Sequence, residues 1–543
     1  MSKTVITLAA AGFVLASAFP AAAQQKAQEP SKEHVQELIA KAMQQAPQSP
    51  ASQAVQPGAP AGPTVNLTED EAVARARDKN LTLISERITP QTFDFSIAAT
   101  RAAYAFNLTS STGLVNNTQL STNLTQGGSS IKTEQQTWSG GIAKRMWLGG
   151  GQYNVNWNNG RDTTSSTNST CSPCFSSGLS AQFTQPLWRN FKIDNTRAQI
   201  RNNEISQDIA EINLSAQEVT VLAQVRNAYW ELAYARQAVE AAQRSLELAT
   251  KLVGDNRARV EIGTMAPIDV VQAQAEEANR RQQLVTAQAT LRNNELALKR
   301  LIVSGTDDEL WPATIVPVDQ PTVTAQPIDL EAAVANALSR RTDLTVTKKN
   351  LESADISLAT IENETKPQLD LVGSLNLSGR AGQGRERPDP FNPGVVIPAP
   401  TGSYLDAVSQ MGRFDAPRWA VTMNFAYPLG NSAAQANLAR QKLLRTQTEA
   451  AIKAAELQVA TEVTAAALAV RNNLEAMQAS TVSRELSQQR LDAAQAKFDQ
   501  GMATNYEVVQ AQRDLNDARN SELRAQLNYQ RALVDFQRVQ IAR

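Results

Sequence analysis

A chain of 543 residues, 42% of them apolar, has material for several domains or one large elongated one and can bury a substantial core. Its formal net charge of -1 offers no basic surface for phosphate contacts, which excludes a phosphate-held nucleic-acid partner. The single histidine, His34, leaves no His-centred metal site or triad, and neither a P-loop nor a G-x-S-x-G pattern occurs. No enzyme, cofactor or metal site is expected.

Residues 1–23 read as a signal peptide. Lys3 supplies the positive region, Val5 to Phe19 the apolar one, and Ala21-Ala22-Ala23 the cleavage pattern. Residues 24–64, rich in Ala, Gln, Pro and Ser, form a low-complexity linker with one short helix expected at residues 31–43. No later run is apolar enough for a membrane-spanning helix, so the expected location is the periplasm, the exterior or an outer membrane.

Beyond the linker the chain repeats itself. "EDEAVARARDKNLTL" (69–83) matches "LEAAVANALSRRTDL" (330–344), "LSAQFTQPL" (179–187) matches "VTMNFAYPL" (421–429), and "IGTMAPIDVVQAQ" (262–274) returns 238 positions later as "QGMATNYEVVQAQ" (500–512). Three collinear matches indicate two copies of one unit, residues 65–305 and 328–543, joined by a Pro-rich linker at 306–327.

Each copy is expected to run from a short helix through strands to two long helices of roughly equal length. Residues 196–260 contain no Pro and one Gly, enough for a helix on the order of 100 Å. Their apolar tracks, Ile205 to Val219 and Leu222 to Val253, step by three and four as a coiled-coil seam does. In the strands, Val421, Met423, Phe425 and Tyr427 alternate with Thr422, Asn424 and Ala426, and Leu369, Leu371, Leu375 and Leu377 alternate with polar neighbours. Five of the seven tryptophans, Trp138, Trp147, Trp157, Trp188 and Trp419, fall in or beside strands, as an interfacial girdle requires. Cys171 and Cys174, in "CSPC", lack a further Cys or His nearby and read as a local disulfide or incidental thiols.

In this order, the "QPL" and "YPL" strand ends and the repeated tip sequence resemble the TolC-like outer-membrane efflux proteins over residues 65–543. The resemblance implies an α+β membrane protein built from two structural repeats. It implies a homotrimer whose protomers each give four strands to one outer-membrane β-barrel, continuous with a long periplasmic α-helical barrel. The implied function is the passive exit duct of a tripartite efflux or type I secretion system. The implied partners are outer-membrane lipid, a periplasmic adaptor (membrane fusion) protein and an inner-membrane RND, ABC or MFS transporter. The alternative is a surface or periplasmic coiled-coil structural or adhesive protein with a β anchor. One departure leaves the strand count open. Leu108 and Leu179 lie 71 residues apart, against 52 for Leu369 and Val421, and the excess at 136–160 either adds a hairpin or extends the existing strands.

Gly263 and Gly501 permit the tight reversals expected between the long helices. Pro267 suits a first helical position and Asp269 a first turn. By resemblance, Gly263, Thr264, Gly501 and Met502 form the adaptor-docking tips, and Asp269 and Glu507 line the aperture, where Gln510 replaces a second acid. Thr504 and Glu507 also have capping-box spacing, so a purely structural role is open to Glu507.

Overall fold

The computed structural model describes residues 63–121, 128–167, 169–319, 328–388, 394–397, 399, 401–429 and 432–543, all within the unit Ala61–Arg543. The expected signal peptide and the helix expected at 31–43 lie outside the described residues.

The repeat begins at a waist. Strand β1 (Thr64–Leu67) leads into α1 (Glu69–Lys79), which opens on a capping box between Thr68 and Glu71. The chain breaks at Asn80 and continues as α2 (Leu81–Arg101), because the Asn80 side chain caps the new helix through the amides of Thr82 and Leu83. The second copy breaks at the equivalent Arg341, between α5 (Leu330–Arg340) and α6 (Thr342–Glu364). Arg341 is buried and held by Asp343 and Glu462 at 2.9 and 2.6 Å.

Asp194 and Ser432 cap α3 (Asn195–Glu261) and α8 (Ala433–Asp499), each 67 residues and therefore about 100 Å long. The returning helices, α4 (Pro267–Ile302, 36 residues) and α9 (Asn505–Val539, 35 residues), are about half that length. The expectation of two equal helices is thus corrected. A returning helix stops at the waist, and a separate helix takes its place along the upper half of the long one. Arg101 pairs with Glu204 there, joining α2 to α3, while Asn294 reaches the Glu231 carbonyl lower down, joining α4 to α3.

The first waist is tied by strand β6 (Thr314–Pro317), which pairs in parallel with β1. Beneath it Val225, Tyr229, Leu232, Leu298 and Ile302 form a core with Leu67, Ala72 and Leu83. The Tyr229 hydroxyl donates to Asp319 at 2.8 Å, and burial first of all pushes its pKa up to about 12.

At the far end of the upper helices, six described strands lie in one antiparallel sheet, ordered β10-β7-β5-β4-β3-β2. They are β2 (Asn107–Leu120), β3 (Ser130–Arg145), β4 (Gln152–Thr164), β5 (Cys171–Pro186), β7 (Gln368–Gly384) and β10 (Pro417–Ala426), with a minor pair, β8 (Arg387–Pro388) and β9 (Val396–Ile397), set apart. Among the described residues this sheet therefore has six strands, where the resemblance implied four and the excess at 136–160 left the number open. The extra segment is a full hairpin, β3–β4, inserted between β2 and β5. Its Gly-rich turn adopts positive φ at Gly149 and Gly150. A Cβ at Gly150 would meet the Asn190 carbonyl at 2.6 Å, so only glycine lets this turn seat on the connection from β5 to α3.

Register separates the two faces. One row across the sheet reads Trp419, Leu375, Ala181, Val155, Ile142, Leu108, and the adjacent row reads Arg418, Asn376, Ser180, Asn156, Gly141, Thr109. The first is apolar throughout and the second polar or small. At the end away from the long helices, α7 (Tyr404–Gly412) lies on the apolar face, over Gly379, where a Cβ would stand 1.9 Å from the Ala407 carbonyl oxygen. Tyr404 packs on Trp138 and donates to Asn159 at 2.9 Å. Cys171 and Cys174 form a disulfide at that end. No described helix is long and apolar enough to cross a membrane.

Candidate functional site

At the opposite extreme from the sheet, both long helices end in the same device. The Gly263 amide donates to Val260 O and the Thr264 amide to Arg259 O, at 3.0 and 2.9 Å. Gly501 and Met502 repeat this with Phe498 O and Lys497 O at 3.0 and 2.9 Å. These are Schellman closures, which require a left-handed residue, and φ is 73° at Gly263 and 71° at Gly501. The repeated tip sequence is therefore the sequence of a helix stop followed by a helix restart. Thr264 and Met502 stand exposed beside the glycines.

The restarts differ. Pro267 opens α4 with Asp269 in its first turn, whereas Thr504 and Glu507 form a capping box at the head of α9. Glu507 Oε1 accepts from the Thr504 amide and hydroxyl at 3.3 and 3.2 Å and remains exposed. Asp269 is half-buried, and Gln510 donates to Asp514 at 2.8 Å.

The two tips are one packed body. Leu252, Val253 and Ala273 of the first copy meet Leu491, Phe498, Val508 and Leu515 of the second. Arg259 stacks 4.3 Å from the Phe498 ring centre and reaches Asp499 at 3.5 Å. Asn256, fully buried, donates to Asn505 Oδ1 at 3.1 Å and lies near the Asp269 carbonyl. The acid-bearing turns are thereby tied to each other.

Further up, Glu276 and Arg280 of α4 are buried and paired at 2.6 Å, and Arg513 of α9 also reaches Glu276 at 2.6 Å. Burial pushes the Glu276 carboxyl up, but the hydrogen bond from Arg513 and the charge of Arg280 outweigh it, so its pKa falls below the ordinary value. Sequence reasoning missed this trio and Asn256. The spacing of Glu276 and Arg280 was readable as an ion pair, but nothing in it distinguishes a buried pair from a surface one.

At the sheet end of the helices, Trp147 and Trp188 are 51% and 52% exposed, with Leu148 beside them, where a membrane interface would hold them. Trp157 and Trp419 lie exposed on the apolar face, while Trp138 is covered by Tyr404.

A two-faced antiparallel sheet joined in one chain to a bundle of very long helices defines the class: an outer-membrane-type sheet on a periplasmic-type helical stalk. The chain belongs to the outer membrane efflux protein family, whose model matches residues 152–303 and 333–539. It is 25% identical over 205 residues to toxin and drug export protein A of Aggregatibacter actinomycetemcomitans, a match spanning 37% of this chain and 42% of that relative. Its fold is similar to a membrane protein from Pseudomonas aeruginosa (TM-score 0.62, 15% identity, covering 87% of this chain and 90% of the other). It is likewise similar to the CmeC outer membrane channel of Campylobacter jejuni (TM-score 0.60, 14% identity, covering 87% and 85%).

Proposed function

We propose that the protein is a passive exit duct of the outer membrane, assembled as a homotrimer and working in efflux or type I secretion. The observation that carries this is the union, in one chain, of a two-faced sheet with two free edges and helices of about 100 Å that end in paired turns. The edges β2 and β10 run in opposite directions, so copies placed head to tail continue one antiparallel sheet until it closes. Exposed apolar side chains on the stalk, Leu443, Leu457, Val482 and Leu486, give the helices a surface for neighbouring copies as well. Transport energy comes from an inner-membrane pump through a periplasmic adaptor, which docks at Gly263, Thr264, Gly501 and Met502. Asp269 and Glu507, repeated in each copy, ring the aperture at the tips.

Reconstitution in a planar bilayer tests the reading. Stepwise conductance is expected. Silence, even with the tip opened by mutation, would instead favour a coiled-coil structural or adhesive protein with a β anchor. In the same bilayer, Glu507→Gln is expected to lower cation preference under a salt gradient. Glutamine also serves at the third position of a capping box, so this change removes the charge and keeps the cap. An unchanged reversal potential in an intact oligomer would leave Glu507 with the capping role alone.

A further inference from the structure

We propose that the β3–β4 hairpin is a full segment of the barrel wall, and that it makes the outer-membrane pore wide enough for solutes that the other four strands could not enclose. The inference rests on the trimeric duct proposed above and goes beyond it, to what sets the size limit.

Three observations carry it. First, β4 is paired with β5 from Gln152–Thr184 to Asp162–Cys174, and β3 with both β4 and β2 along their lengths, so the hairpin is an interior part of the sheet and not a flap on its edge. Second, the hairpin keeps the two-faced pattern of its neighbours. Tyr153, Val155 and Trp157 continue the apolar face, while Asn154, Asn156 and Asn158 continue the polar one, opposite Gln182, Ser180 and Gly178 of β5. Third, its inner turn is anchored to the stalk. The Gln185 side chain donates to the Gly149 carbonyl at 2.8 Å, Gly150 sits against Asn190, and Arg197 at the start of α3 holds the Asn190 carbonyl at 2.6 Å.

The consequence is geometric. Three copies of six strands make eighteen, and three copies without the hairpin would make twelve. With strands about 4.8 Å apart and tilted by about 40°, the backbone radius is about 18 Å for the first and about 12 Å for the second, roughly doubling the cross-section. The polar positions that the hairpin adds at mid-height, Thr137, Ser139, Asn154, Asn156 and Asn158, are small and uncharged. The hairpin therefore adds width at mid-height without adding charge there, and bulky polar solutes pass this part of the wall without being sorted by charge.

The test compares the full chain with a variant in which Leu120 is joined to Thr170 by a two-residue turn, removing the hairpin. Both are reconstituted in planar bilayers, and polyethylene glycols of graded size are added on the outer side. The native channel is expected to admit polymers of roughly 10 Å radius and the shortened one to exclude them, in line with the two barrel radii. Equal cut-offs in two assembled channels would overturn the proposal, whereas absence of conductance from both, even with the tip opened by mutation, would overturn the duct itself. Should the shortened chain fail to assemble, single cysteines in the full chain decide. The described residues hold no free thiol, so Asn156→Cys and Val155→Cys can be read individually in cells. Labelling of Asn156→Cys alone by a membrane-impermeant maleimide supports the wall assignment. Labelling of both, or of neither, places the hairpin outside the wall and refutes it.

Discussion

Val421→Arg and Met423→Arg are each expected to abolish the assembled, heat-resistant oligomer in the outer membrane, while Thr422→Arg between them leaves it intact. The three residues are consecutive on β10, and register alone assigns them to opposite faces. Val421 and Met423 stand in rows with Gly373 and Leu371, next to Trp419 and Leu375, and Thr422 faces the side of Ser374 and Asn376. An arginine on the lipid face costs about 2–4 kcal/mol near the bilayer midplane, and closure by three copies repeats the cost in each. Facing a water-filled lumen, the same side chain keeps its hydration. Membrane fractions probed for unheated, slowly migrating oligomer read the outcome directly. If Thr422→Arg were as damaging as its neighbours, the assignment of faces would be wrong. If all three were tolerated, β10 would not lie in the membrane.

That contrast was legible in the sequence, because a period of two is visible wherever one face meets lipid and the other water, as it is in 421–427. The tips were legible for a related reason. A helix can stop and restart in few ways, and a glycine followed by a first-turn acid records one of them twice. Other features were hidden by opposite causes. Helix α2 contains Pro90 and follows α1 with no loop, so its 21 residues carry neither a clean start nor an uninterrupted pattern. Strand β3 alternates poorly because its outer half is polar on both faces, Thr133 and Gln135 on one and Glu134 and Gln136 on the other. Helix α7 settles on the sheet only because Gly379 lacks a side chain, a contact between residues nearly thirty positions apart that no local pattern records.

The buried trio in the stalk is the sharpest instance of what sequence alone could not supply, and it sets the second large effect. Glu276→Leu is expected to loosen the lower half of the stalk by about 3–5 kcal/mol, because it strands the buried Arg280 without its partner. Arg280 is 4% exposed and cannot turn to water in place, whereas Arg513, 47% exposed, can. The double variant Glu276→Leu with Arg280→Met, which removes both charges at similar volume, is expected to recover most of the loss. Hydrogen exchange along α4 and α9 measures this locally, without requiring reversible unfolding of a membrane oligomer. The pH dependence has a definite sign. The Glu276 carboxyl sits below its ordinary value of 4.5 in the folded chain, so its contribution is complete above that value and fades as pH falls through the folded one. The gap in protection between the native protein and Glu276→Leu should therefore be full at neutral pH and narrow in acid. A gap that stayed constant into acid would mean that packing around the introduced leucine, and not the lost charge, loosens the stalk, and a double variant as loose as the single one would mean that the stranded Arg280 is not the cause. With the pair confirmed, the asymmetry between the copies acquires a physical meaning. The second copy carries Asp514 at the position equivalent to Glu276, paired with Arg490 at 2.6 Å on a more exposed surface, so it is the buried acid of the first copy, reached by Arg513, that ties the two copies together above the tips.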